Sequence, residues 1–258
     1  MKRRNPIAIA QISALHTAIQ NINENHDWYS NPANLGRLPF LFLFSQLPVD
    51  RFDFNDTSLF TYMGRESFAK VWSNVESLKR WKGYTRLYIE GTIGYGKSYI
   101  LAALAAFLSR SGKRPVYIPD SRELLKDDVP YIQCALLSAF SEPSLTSIRN
   151  DIRAFESHDD IIQFCGSLPR ENPLYFIIDQ KNALDREDDN KDTASNDKKK
   201  DVSALLDKIA SGHLAITSAS ANYKTALEVM SRQRSEMTFS LRGGMSRVSK
   251  HSVYSYNI

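Results

Sequence analysis

A glycine-rich octapeptide, Gly91-Thr92-Ile93-Gly94-Tyr95-Gly96-Lys97-Ser98, lies between a β-rich run closing on Tyr88 and Ile89 and the helical pattern YILAALAAFL at 99–108. A strand entering such a loop and a helix leaving it gather free backbone N–H groups at a helix N-terminus, where the dipole favours anions. Gly91, Gly94 and Gly96 let the chain wrap closely around a bulky ligand. The order Gly-x-x-x-x-Gly-Lys-Ser is the Walker A spacing of a phosphate-binding loop. In that reading Lys97 reaches the β- and γ-phosphates of a nucleoside triphosphate, and the Ser98 hydroxyl takes one position on a bridging Mg²⁺. The competing reading is a glycine-rich turn with an exposed lysine.

A second piece of the same machinery weighs against that turn. The apolar run Leu174-Tyr175-Phe176-Ile177-Ile178 ends in Asp179, which fits a Walker B carboxylate holding Mg²⁺ opposite Ser98. Gln180 follows where many P-loop ATPases place a glutamate. A glutamine orients water but does not take its proton at neutral pH, so hydrolysis is expected to be slow or to use another group, with Asp185 the nearest in sequence. Ser218 and Asn222, at and beyond the end of the run 213–218, are candidates for sensing the γ-phosphate, and capping of a following helix explains them equally well. Arg242 is a candidate for stabilising transferred phosphate from a neighbouring subunit, against an ordinary exposed arginine.

From residue 84 onward short apolar runs alternate with helical segments, the pattern of a parallel α/β sheet. Strands are expected at 85–90, 115–119, 174–179, 213–218 and 238–241, and helices at 97–110, 128–140, 158–165 and 202–210. The fold class expected is α/β: a P-loop NTPase three-layer α/β/α sandwich with a mainly parallel sheet, preceded by a small mixed helical region. Residues 1–80 form this N-terminal region, 81–244 the P-loop NTPase core, and 245–258 an unstructured or truncated tail. The N-terminal region holds an amphipathic stripe (Ala8, Ile12, Leu15, Ile19, Ile22), a second helix at 66–80, and Phe40, Phe42, Phe44, Phe52, Phe54 and Phe60, read as core rather than a ligand cage. The run REDDNKDTASNDKKKD at 186–201 is read as a solvated loop.

Composition narrows the function classes. With 33 basic and 29 acidic side chains the net charge is only +4, which a solvated surface carries without a polyanionic partner. Cys134 and Cys165 lack the spacing of a zinc or redox pair and read as buried thiols. The basic start Met1-Lys2-Arg3-Arg4 mimics a secretory signal, yet its apolar run stops at Gln11 and the helical stripe explains it better. The other apolar stretches are too short to span a membrane.

Beyond the loop, the segments TYMGRESF (61–68), YTRLYIEG (84–91), VYIPDSRELL (116–125), FIIDQKNAL (176–184) and ITSASAN (216–222) resemble the Crinkler effector family over about residues 60–244. The resemblance implies a P-loop NTPase domain of the ASCE or AAA-like type in a protein delivered into host cells, with nuclear action and a host protein or nucleic acid as target. It carries over Gly91, Gly96, Lys97 and Ser98 for phosphate and metal, and Asp179 with Gln180 as the Walker B pair, a glutamine there being normal for the family. Lys181 departs from an expected apolar residue. The nuclease-like domain of larger members is not evident, and the chain is expected to be a truncated member. Three functions are consistent with these residues: Mg²⁺-dependent binding and hydrolysis of ATP or GTP, a nucleotide-binding switch or interaction module without turnover, and a kinase using Arg232, Arg234 and Arg242 as a lid. ATP is preferred to GTP because the guanine-reading Asn/Thr-Lys-x-Asp pattern is not apparent. Oligomeric state is left open.

Overall fold

Ile12, Leu15 and Ile19 recur on one helical stripe, and all three are buried on α1 (Ile9–Gln20). The computed structural model describes residues 9–43, 47–54, 59–80, 85–91, 94–184, 194–219 and 236–241. A short helix α2 (His26–Ser30) begins where the Asn25 side chain accepts from the Asp27 N–H. Strands β1 (Leu35–Pro39) and β2 (Leu59–Met63) pair antiparallel, and α3 (Glu66–Arg80) follows on the span expected for it. At the end of β2 the backbone passes so close to α2's exit that a Cβ on Gly64 would sit 2.1 Å from the Asn31 carbonyl oxygen, so only glycine fits.

The N-terminal aromatics are core, not a cage. Phe40 packs edge-on against Phe52 and Phe54 at 5.0 Å, and Phe52 reaches Tyr99, the residue after Ser98, at 4.8 Å. Phe42 and Phe60 are buried in the same cluster, and Phe44 lies outside the described residues. These rings join the sheet's apolar residues in one continuous hydrophobic core.

Apolar runs then form β3 (Arg86–Glu90), β4 (Arg114–Ile118), β5 (Leu174–Ile178), β6 (Leu214–Ser218) and β7 (Glu236–Ser240), which pair in a wholly parallel five-stranded sheet of order β4-β5-β6-β3-β7. Every residue of β5 and β6 is buried, as expected of central parallel strands covered on both faces. Between strands lie α4 (Lys97–Arg110), α5 (Ser121–Lys126), α6 (Asp128–Ala139), α7 (Thr146–Arg153), α8 (His158–Ser167) and α9 (Asn196–Ile209). The β3-to-β4 connection crosses the sheet in one direction and the later connections return in the other. Right-handed crossovers therefore put α4 on one face and the later helices on the opposite face. α1 and α3 rest on α4, and α5 and α8 rest on α9, while α6 packs along the edge strand β4 and also reaches α1. The result is a three-layer α/β fold with a parallel sheet, in which β6 is inserted between the loop strand β3 and the Asp179 strand β5.

Two features depart from the sequence expectation. Helix α9 starts at Asn196, inside the run read as a solvated loop, because Ser195 caps it by accepting from the Lys198 N–H and Lys199 is drawn into the interior at 1% exposure. Helices α2, α5 and α7 have no counterpart among the expected helices: α2 is a short helix capped by Asn25, α5 a short one capped by Asp120, and α7 a short amphipathic one. Cys134 and Cys165 are both buried and in no disulfide, and burial pushes the Cys165 thiol up to about 12. Among the described residues no helix is long and apolar enough to cross a membrane.

Candidate functional site

The sheet register fixes what meets at its carboxyl edge. Ile118 pairs with Ile178, and Ile178 with Thr217, while Ser218 pairs with Ile89. Asp179 therefore emerges between Pro119 and Asp120 on one side and Ser218 on the other, and the loop leaving β3 lies one strand further along. The backbone fixes Asp179 from β4, since its N–H donates to the Ile118 carbonyl at 2.9 Å and its carbonyl accepts from the Ser121 hydroxyl at 2.8 Å.

The loop has the backbone that phosphate binding needs. Gly91, Gly94 and Gly96 take φ of 151°, 87° and 75°, all in the region open to glycine. Gly96 caps α4 in the left-handed region, with no side-chain hydrogen bond at the cap. A Cβ on Gly96 would fall 2.0 Å from Arg65 Nη1, so an arginine of the N-terminal region lies against the loop. The Arg65 guanidinium is 5.7 Å from the Tyr99 ring centre, and burial lowers its pKa. Thr92 and Ile93 lie outside the described residues.

Lys97, the first residue of α4, is 8% exposed, and its ammonium donates to the Gly91 carbonyl at 2.5 Å. Burial lowers its pKa, while the nearby Asp179 carboxylate acts in the opposite sense. Ser98 is half-buried in the same first turn. Asp179 is 2% exposed; its Oδ1 accepts from the Ser218 hydroxyl and from the Gln180 N–H, the latter at 2.9 Å. Its Oδ2 accepts from Arg51 Nη1 at 3.2 Å.

Gln180 adopts φ 57°, the only non-glycine with positive φ among the described residues, and its Oε1 is buried without a partner. Such a backbone costs energy and is retained where neighbours over-determine it. The Arg51 Nε, Arg65 Nε and Tyr117 hydroxyl are also buried without a hydrogen-bond partner. Unsatisfied polar atoms gathered around Asp179 and the loop are what a polar ligand with its hydration shell would satisfy. The donor set also suits Mg²⁺, because a carboxylate and a hydroxyl are hard oxygen ligands.

No family model matches the chain. Cytosolic sulfotransferase 7 of Arabidopsis thaliana is 32% identical over 124 residues, which is 45% of this chain and 36% of that protein, so the chain spans about a third of its length. Among solved structures, a DNA replication initiation factor aligns at TM-score 0.43 and 12% identity over 73% of this chain and 49% of its own. PCH-2 of C. elegans aligns at TM-score 0.42 and 15% identity, over 86% and 52%. The chain thus covers about half of each.

The structure brings Gly91, Gly94, Gly96, Lys97, Asp179, Gln180 and Ser218 to one edge of the sheet. Ser218 is fully buried, and its hydroxyl donates to Asp179. Asn222, Asp185, Arg232, Arg234 and Arg242, with the tail 245–258, lie outside the described residues. Sequence reasoning missed Arg51, Arg65 and Asp120. Asp120 had a signal, since it follows a strand parallel to the one ending in Asp179. The two arginines had none, because their contacts depend on how the N-terminal region folds back.

Proposed function

We propose that the chain binds a Mg²⁺-nucleoside triphosphate, ATP in preference to GTP, and hydrolyses it slowly. The observation that carries this reading is the glycine loop at the N-terminus of α4, with buried Lys97 in electrostatic reach of the Asp179 carboxylate. In this reading the N–H groups from Gly94 to Ser98, with Thr92 and Ile93, cradle the phosphates, and Lys97 exchanges the Gly91 carbonyl for phosphate oxygens. Ser98 and Asp179 hold Mg²⁺, which when bound neutralises charge on the β- and γ-phosphates. Ser218 fixes Asp179 through its hydroxyl, and Ser218 and Asn222 remain the candidates for sensing the terminal phosphate. Calorimetric titration of Mg-ATP and Mg-GTP, with phosphate release on the same samples, tests it: binding weaker than about millimolar for both would sink the reading.

A second reading, a binding switch without turnover, is favoured by Gln180, whose amide cannot accept a proton from water and whose backbone is held in the left-handed region. The two readings separate on one substitution. Gln180→Glu supplies a carboxylate at this position, and phosphate release is expected to rise about tenfold or more, below the usual range for a fully positioned base. Release that is already present and does not respond would show that water is activated elsewhere.

The Crinkler-like segments support a finer assignment, that of an effector whose nucleotide state governs contact with a host protein or nucleic acid in the nucleus. A fluorescent fusion expressed in plant cells is expected to accumulate in nuclei, and cytoplasmic retention would count against this assignment.

A further inference from the structure

Arg51 stands at the centre of the carboxyl edge although it comes from the N-terminal region. The turn at 48–51 presents it, with the Arg51 and Phe52 N–H groups both donating to the Pro48 carbonyl. Phe52 anchors that turn, buried between Phe40, Phe60 and Tyr99 at 5.0, 5.4 and 4.8 Å. Arg51 Nη1 then donates to Asp179 Oδ2 at 3.2 Å and to the Pro119 carbonyl at 3.1 Å. Its Nη2 donates to the same carbonyl at 3.1 Å and to Asp120 Oδ2 at 3.0 Å. One cation thus spans two carboxylates from adjacent strands, with side chains only 2% and 9% exposed.

A guanidinium shared between two buried carboxylates offsets their mutual repulsion. Asp120 has a second partner, because Arg122 Nη2 reaches its Oδ2 at 3.1 Å. Asp179 has none beyond Arg51 among the ion pairs of the described residues. The two oxygens of Asp179 are also unequal. Oδ1 is committed to the Ser218 hydroxyl and the Gln180 N–H, so Oδ2 is the oxygen left to face a metal or its water shell. Arg51 holds that oxygen.

We propose that Arg51 competes with the metal for Asp179: it occupies Oδ2 before metal binds, and yields that oxygen when metal arrives. It need not leave the site to do so, because Asp120 and the Pro119 carbonyl keep the guanidinium while Oδ2 is exchanged. Coupling of the N-terminal region to the metal state follows, since the exchanged residue belongs to the turn that Phe52 anchors in the aromatic core. The inference rests on the reading of Asp179 as a metal ligand, though not on nucleotide binding.

The test is Mn²⁺ binding without nucleotide, followed by electron paramagnetic resonance, together with thermal melting in EDTA and in excess Mg²⁺, on wild type, Arg51→Gln and Arg122→Gln. Arg51→Gln is expected to bind Mn²⁺ about tenfold more tightly than wild type, as loss of a competing cation implies. Its melting temperature is expected to fall in EDTA and to recover in excess Mg²⁺, a larger Mg²⁺ response than that of wild type or Arg122→Gln. Unchanged or weaker Mn²⁺ affinity in Arg51→Gln, or a melting loss that Mg²⁺ does not restore, would overturn the proposal in favour of a purely structural arginine. Should Arg51→Gln fail to fold, Arg51→Lys serves: a single ammonium cannot span both carboxylates, so Mn²⁺ affinity still rises, and an unchanged value overturns the idea. Failure of wild type to bind Mg-ATP removes the nucleotide reading and leaves the Mn²⁺ result standing.

Discussion

Lys97→Ala is expected to weaken Mg-nucleotide binding by about 100-fold, because a charge-assisted contact contributes roughly 3 kcal/mol and each 1.4 kcal/mol is a factor of ten. Phosphate release falls with it. The fold should survive, for two reasons. Burial already disfavours the charged ammonium and lowers its pKa, so removing it relieves a desolvation cost. Alanine is also the strongest helix former, and the position opens α4. The hydrogen bond to the Gly91 carbonyl is lost, and that carbonyl can turn to solvent because Gly91 is only half-buried. Calorimetry and a melting curve on the same preparation check both halves. Binding within threefold of wild type would dismiss Lys97 as a phosphate ligand, and a melt lowered by more than a few degrees would make lost binding uninformative.

The parts of this site that were legible in sequence are those whose chemistry is local. Gly91 to Ser98 announces itself because the turn, the helix start and the lysine are consecutive, and the helix it opens ends at Arg110 as its apolar period indicates. Asp179 is legible because five apolar residues precede it, all of them buried. Ser218 was legible as a polar residue closing a strand, although its bond to Asp179 needed the sheet order β5-β6-β3 to appear. Arg51 was illegible: it meets Asp179 across 128 positions of sequence, and nothing in Val49-Asp50-Arg51-Phe52 distinguishes it from a surface turn. The start of α9 was hidden for a different reason. Polar residues dominate 194–201, and burial of the Lys199 side chain runs against the rule that lysine stays in water.

The grip of the N-terminal region on the core sets the largest expected change in stability. Tyr29 is fully buried; its ring stacks on Phe68 at 5.1 Å and meets Phe107 of α4 edge-on at 5.3 Å. Its hydroxyl donates to the Asn23 carbonyl at 2.7 Å, and its own carbonyl accepts from the Tyr62 hydroxyl at 2.9 Å. Tyr29→Ala removes the ring and leaves a cavity between α2, α3 and α4, which costs about 3–5 kcal/mol. For a chain of this size that lowers the melting temperature by roughly 10 °C. Tyr29→Phe keeps the ring and loses one hydrogen bond, so about 1 kcal/mol is expected. Ile9→Ala, at a position 65% exposed, should change stability by less than about 0.5 kcal/mol. Chemical denaturation of the three variants checks this ordering. Because Arg65 lies against Gly96 and Arg51 against Asp179, loosening the N-terminal region should also weaken nucleotide binding; Tyr29 meets Arg65 through its backbone carbonyl, which accepts from the Arg65 N–H at 2.9 Å, a bond that Tyr29→Ala keeps. If Tyr29→Ala melts early by the expected amount yet binds Mg-ATP as wild type does at low temperature, the N-terminal region contributes packing alone. If binding falls together with stability, the phosphate loop depends on that region for its shape.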